Sequence, residues 1–340
     1  MPEGTVDPVK VLWIRPDRVI WRVVEARWLD SGAIWTGLEA MSCLSVRNGS
    51  VTMLAFSGMM TGRQRGAWMS GASRDSKAWT VVDEGWGRKA ADFSSLSEPS
   101  NCREYVALHH FLGVDADDRL LDVACGSGLA IELARLRGAR CAGIDASARL
   151  VAVARFRSPE SDIRVGDMHD LPWEDGAFDV VTSFRGIWGT TPDAVNEIRR
   201  VLRPSGRVGL TVWGHLKVSP GAWALAPFRL ASQEKVDNQA TMVSLGWPGA
   251  GESLLEACGF VDIRRVEVPF AWEYADPDVF ARALASTGPA YEAIQNIGPD
   301  AFHQAAVDQA RAHVVDGLPL RAEINVVGYL ARKPEGDHQP

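Results

Sequence analysis

Along the first 76 residues, apolar and polar positions hold neither the alternation of a strand nor the spacing of an amphipathic helix for long. Val11–Trp28 is apolar enough for a strand pair, and tryptophan recurs at Trp13, Trp21, Trp28, Trp35 and Trp68. From residue 101 the pattern becomes regular. Tyr105, Leu108 and the pair Phe111 and Leu112 share one face, which predicts a helix over Asn101–Leu112. Arg119–Val123 reads as a short apolar strand, and Leu129–Arg137 as a helix closed by Gly138. Cys141–Ile144 is the next expected strand, Ala148–Phe156 a helix and Ile163–Val165 a strand. Phe178–Ser183 follows as a strand, announced by Asp175-Gly176. Asp193–Leu202 reads as a helix, Pro204-Ser205-Gly206 as a turn and Arg207–Val212 as a strand. Strands alternating with helices imply βαβ units, parallel pairing and a doubly wound sheet.

Beyond Val212 the pattern loosens. Residues 214–251 are mixed in character, Glu252–Cys258 reads as a helix ended by Gly259, and Val261–Pro269 as a strand. Asp276–Leu318 is expected to be mostly helical, interrupted at Gly288-Pro289 and Gly298-Pro299, with a last strand over Ala322–Leu330. No repeat or low-complexity tract is present.

The net charge of −7 disfavours a general nucleic-acid partner, which needs clustered Lys and Arg. Residues 1–76 depart from the rest, with nine Lys and Arg against seven Asp and Glu. Two readings of this stretch stay open: an over-extended gene model with translation starting near Met69, or a small accessory β-rich region. The regular α/β part would then occupy residues 77–335. The five cysteines are scattered, with no C-x-x-C pair, and are read as reduced thiols rather than a disulfide frame or zinc site. No metal-ligand spacing occurs among His, Asp and Glu. No apolar run reaches membrane-spanning length, and the N-terminus lacks the order of a signal peptide, so the expected location is the cytoplasm. Oligomeric state is not legible.

The first strand ends near Asp122, and Ala124-Cys125-Gly126-Ser127-Gly128 leads straight into a helix. Gly126 and Gly128 let a ligand approach the backbone. Counting from Gly126, the third glycine of a dinucleotide fingerprint is replaced by Ile131, which disfavours NAD. The second strand ends at Asp145, 23 residues after Asp122, where a carboxylate can accept from both ribose hydroxyls. That placement alone serves NAD as well as another adenosine-bearing ligand. Ala146 follows it. After the third strand, Asp167 can meet an adenine amino group and Met168 can cover the ring. Asp122 is expected beside a cationic methionine portion, where negative charge favours sulfonium and ammonium groups.

The blocks 121–128, 143–147, 166–173, 178–183 and 199–207 together resemble class I S-adenosylmethionine-dependent methyltransferases. They are most similar to the small-molecule group typified by ubiquinone and menaquinone C-methyltransferases. The resemblance implies an α/β, Rossmann-like, doubly wound sheet of about seven strands, mostly parallel with an antiparallel last strand. It implies S-adenosylmethionine as cofactor, with Ser183 and Phe184 joining the cofactor contacts. It also implies methyl transfer to a small, hydrophobic or aromatic acceptor, with C-, O- or N-methylation left open. Ala124 and Ser205 stand where that family usually has glycine.

In that family the residues after the fourth strand face the methyl group. Here Arg185 could hold an anionic acceptor or form an ion pair, and Trp188 could stack on a planar acceptor or sit in the core. Trp213 lines the same edge, and His215 is the candidate general base. Helical lid insertions are expected at 214–251 and 276–318. The alternatives are a cofactor-binding regulator with the same fold, a macromolecular methyltransferase and a nicotinamide-dependent oxidoreductase. The macromolecular reading lacks the amino-methylating tetrapeptide, since the relevant position reads Ser183-Phe184-Arg185-Gly186.

Overall fold

The computed structural model describes residues 81–187, 191–231 and 245–336, and the backbone of four short strands between Ala26 and Leu54. The chain divides into two compact units, residues 1–75 and 76–340. In the first, β1 (Ala26–Leu29), β2 (Gly32–Trp35), β3 (Cys43–Arg47) and β4 (Ser50–Leu54) form one antiparallel sheet in chain order. Most of the strand pair read at Val11–Trp28 lies outside the described residues.

The second unit begins with α1 (Val81–Trp86) and an irregular helical segment through residue 101, then α2 (Cys102–Leu112). β5 (Arg119–Val123), α3 (Leu129–Arg135), β6 (Arg140–Asp145), α4 (Ala148–Arg157) and β7 (Asp162–Val165) follow. Next come β8 (Phe178–Phe184), α5 (Thr191–Val201), β9 (Leu202–Trp213), α6 (Ala250–Ala257) and β10 (Val261–Val268). The chain continues with β11 (Ala271–Tyr274), α7 (Pro277–Leu284), α8 (Gly288–Ile297), α9 (Pro299–Arg311), β12 (Leu320–Glu323) and β13 (Val326–Arg332).

The seven-stranded sheet runs β10-β13-β9-β8-β5-β6-β7. β13 alone is antiparallel to its neighbours β9 and β10, so the fold is the Rossmann-like one expected. The strands are buried on both faces. Leu121, Val123, Ile144 and Val181 pack against Val195 and Ile198 of α5. Leu120 and Val180 on the opposite face pack against Leu108 and Leu112 of α2. Each fully buried Leu or Ile in these layers contributes about 1.5–3 kcal/mol.

Two readings are corrected. The strand expected over Ala322–Leu330 is two strands, broken at Ile324-Asn325: β12 pairs with the unforeseen β11, whereas β13 joins the large sheet. Asn325 leaves both ladders to accept from the Gly214 N–H and to donate to Ser219 Oγ. The turn at 204–206 belongs to β9 as a bulge, because Phe178 pairs with Leu202 but Val180 with Arg207. Ser205 there adopts φ +61°, which explains why glycine suits the position.

A second core lies beyond the sheet. β11 and β12 pack with residues 222–230 and α7–α9 around Phe270, Trp272, Phe280 and Phe302. The glycine-proline pairs sit at helix starts: Pro289 and Pro299 each occupy the first turn, where a missing N–H costs nothing.

Candidate functional site

The site is assembled at the carboxyl ends of β5, β6 and β8, where an open parallel sheet leaves strand ends free to meet a ligand. The loop after β5 turns on three left-handed residues, Ala124 at φ +60°, Gly126 at φ +56° and Gly128 at φ +83°. Gly128 is needed for space as well as for φ, since a Cβ there would lie 2.9 Å from the Ala154 Cα. The Gly126 N–H donates to Asp145 Oδ2 at 2.8 Å, and the Ser147 N–H donates to Oδ1 at 2.8 Å. Asp145 therefore ties the glycine loop to the end of β6. Its burial pushes the carboxyl above its ordinary range.

The missing third glycine has a structural counterpart. Ile131 is fully buried, and its Cδ1 lies 2.5 Å from where a Cβ on Gly143 would stand. The helix–strand approach that a dinucleotide fold obtains from a helix glycine is obtained here from a strand glycine.

Glu98 was missed by sequence reasoning and changes the chemistry of the loop. Its carboxylate, 1% exposed, accepts from Ser127 Oγ and from the Leu129 N–H and pairs with Arg157. It thus occupies the start of α3, where a dinucleotide fold places its pyrophosphate. A phosphate there would meet a buried carboxylate. Asp83 does the same at α4, accepting from Ser147 Oγ and from the Arg149 N–H. Phe93 lies 3.5 Å from the position of a Gly126 Cβ.

Asp122 departs from expectation. It is 2% exposed, hydrogen-bonded to Thr182 Oγ1 at 2.7 Å, and shares a sheet face with α2. Burial, with the nearby charges of Glu98, Asp145 and Glu104, pushes its carboxyl up to about 8. It is a neutral acid at pH 7, not the standing negative charge expected from the sequence.

Asp167 Oδ1 accepts from the His169 N–H and meets His169 Nδ1 at 2.6 Å, so only one of its oxygens is committed. Met168 packs partly buried on the main core and Ala146 is half-buried. Ser183 and Phe184, consecutive on β8, point to opposite faces. Phe184 packs edge-on against Tyr105 at 4.5 Å and His109 at 5.7 Å. Ser183 Oγ is buried with no hydrogen-bond partner among the described residues, beside Gly186 and Ala124 at the strand ends. An unfilled hydroxyl there, a glycine loop and a carboxylate at the end of β6 fit an adenosine-bearing ligand without phosphates.

Arg185, at φ +53°, is held by the buried Glu104 at 2.9 Å and lies 4.7 Å over both the Trp213 and Phe270 rings. Glu104 also accepts from Thr211 Oγ1 at 2.5 Å. The charge of Arg185 is thus already matched, and an anionic acceptor would compete with Glu104. Trp213 meets Phe270 and Trp272 edge-on, at 5.4 and 6.1 Å. His215 is exposed on the loop after β9, with only its carbonyl engaged among the described residues. Trp188 lies outside the described residues. A signal for the missed group existed: Glu98, Asn101 and Glu104 recur every third residue as one polar line, and it is this line that is buried while Pro99 and Arg103 between them are exposed.

Among the described residues no group of His, Cys, Asp and Glu is placed to hold a metal. No described helix is long and apolar enough to cross a membrane.

Comparison with known proteins agrees with this geometry. Residues 121–210 match a family described as Methyltransferase domain. These residues form a methyltransferase domain. Nocamycin O-methyltransferase of Saccharothrix syringae is 32% identical over 180 residues, 45% of this chain and 61% of that protein. The demethylmenaquinone methyltransferase of Symbiobacterium thermophilum is 38% identical over 120 residues, 31% of this chain and 45% of that protein. The chain spans about half the length of the curated relatives it matches. The fold is also that of a chain from the complex between the Haloferax volcanii Trm112 methyltransferase activator and the putative methyltransferase. That match has a TM-score of 0.51 and 18% identity, and covers 76% of this chain and 100% of that one.

Proposed function

We propose that this protein transfers a methyl group from S-adenosylmethionine to a small, hydrophobic or aromatic acceptor. The observation that carries the reading is the glycine loop bonded to Asp145 while Glu98 fills the start of α3. That pairing suits an adenosine whose chain bears a sulfonium and opposes a pyrophosphate. Relatives named as O-methyltransferases and quinone methyltransferases support the acceptor class.

When bound, the cofactor would supply a methyl group already activated by its sulfonium sulfur. The chain's own task is to align and to exclude water. Asp145 is placed to accept from the ribose hydroxyls, Asp167 from the adenine amino group, and Met168 to cover the ring. Ser183 Oγ offers a free hydroxyl at the strand ends. Trp213 and Phe270, fixed edge-on and capped by Arg185, form an apolar wall for the acceptor. Of the described residues, 222–230 and 276–318 act as the cover that keeps water out. His215 takes the proton of a hydroxyl acceptor. His215→Ala should lower turnover of such an acceptor about 100-fold or more while leaving cofactor affinity unchanged.

The test is release of S-adenosylhomocysteine across a panel of quinols, phenols and apolar amines. Turnover with a small acceptor, and none with peptide or RNA, is expected. Intact cofactor binding without turnover on any of them would contradict an enzymatic role and favour a regulator.

A further inference from the structure

Five buried acceptor groups lie at the start of the site, and two of them, Asp122 and Asn101, are short of donors. Glu98, Glu104 and Asp145 are 1%, 0% and 9% exposed. Arg157 matches Glu98, Arg185 matches Glu104, and Asp145 receives two backbone N–H groups. Asp122 has one donor, Thr182 Oγ1, and no cation at ion-pair distance among the described residues. Cys125 in the loop and Cys141 on β6 also face this carboxyl, but burial holds both thiols neutral.

The fifth acceptor is Asn101. It is 6% exposed, gives its Nδ2 to the Tyr105 hydroxyl at 3.1 Å, and leaves Oδ1 without a donor among the described residues. It lies three residues from both Glu98 and Glu104, so all three belong to one helical face. A buried acceptor left empty is destabilising unless a ligand fills it.

We propose that this end of the site reads ligand charge: a sulfonium-ammonium ligand drives the proton off Asp122 while Asn101 Oδ1 accepts from its ammonium group. The inference rests on the S-adenosylmethionine reading. The proton leaves to solvent when the cation arrives and returns once methyl transfer has removed the sulfonium charge. The neutral-sulfur product thereby loses its electrostatic hold. The carboxyl, pushed up to about 8 by burial and by its acidic neighbours, is ready to ionise near neutral pH.

Calorimetric titration at pH 7 in phosphate and in Tris, two buffers of different ionisation enthalpy, counts the protons. Wild type should release roughly 0.9 proton per S-adenosylmethionine and close to none per S-adenosylhomocysteine. Asp122→Asn, an isostere of the neutral acid, should abolish the release and weaken S-adenosylmethionine about tenfold while leaving S-adenosylhomocysteine unchanged. Asn101→Ala should weaken both ligands alike, by about fivefold. Equal proton counts for the two ligands in wild type, or undiminished release in Asp122→Asn, would overturn the proposal. Failure of wild type to bind either ligand would overturn the cofactor reading itself.

Discussion

At the residue scale, the glycine loop shows which substitutions a backbone turn admits. Ala124 holds a left-handed conformation at φ +60° that costs an L-residue about 1–2 kcal/mol. Ala124→Gly should relieve that strain and lose about 0.4–1 kcal/mol to the greater freedom of the unfolded chain. A small net gain in denaturant midpoint is expected. Gly128→Ala is the opposite case, because its Cβ would meet the Ala154 backbone as well as a positive φ. It should lose about 2–4 kcal/mol in the same measurement. The glycines themselves were legible, since a strand running into a glycine-rich turn and a helix is a local pattern. The ionisation of Asp122 was not. Its neighbours Glu98, Glu104 and Thr182 come from distant parts of the chain, and burial is a property of the assembled layers.

At the element scale, alternation and helical spacing gave the order of strands and helices in the methyltransferase domain. They failed where tertiary pairing decides. β11 is four residues long and gains its identity only by pairing with β12, and nothing local in the strand-like stretch 322–330 marks the break at Asn325. The segment 81–101 was also unreadable, as it mixes short helical turns of different pitch. Its hold on the glycine loop depends on Glu98. Glu98→Ala leaves Arg157 facing a buried site without its partner, so a loss of about 3–5 kcal/mol is expected on denaturation. Asp83→Ala, whose partner Arg149 is well exposed, should cost no more than about 1 kcal/mol.

At the scale of the whole molecule, acid stability turns on a histidine unrelated to the site's chemistry. His109 is 1% exposed with neither ring nitrogen bonded among the described residues, and burial, aided by Arg137, lowers it to about 4. The unfolded chain takes up the proton near the ordinary histidine value, so the contribution is intact above about 6.5 and is lost as pH falls towards 4. Between those limits wild type should lose about 3 kcal/mol more than His109→Leu, compared by urea denaturation at each pH.

The central claim is that the Asp122–Gly128 loop with Asp145 and Glu98 holds S-adenosylmethionine and not a dinucleotide. Isothermal calorimetry of wild type and Asp145→Ala with S-adenosylmethionine and with NADH tests it most directly. Binding of S-adenosylmethionine alone is predicted, weakened about 10–100-fold in Asp145→Ala. No binding of S-adenosylmethionine, or binding of NADH, would contradict it.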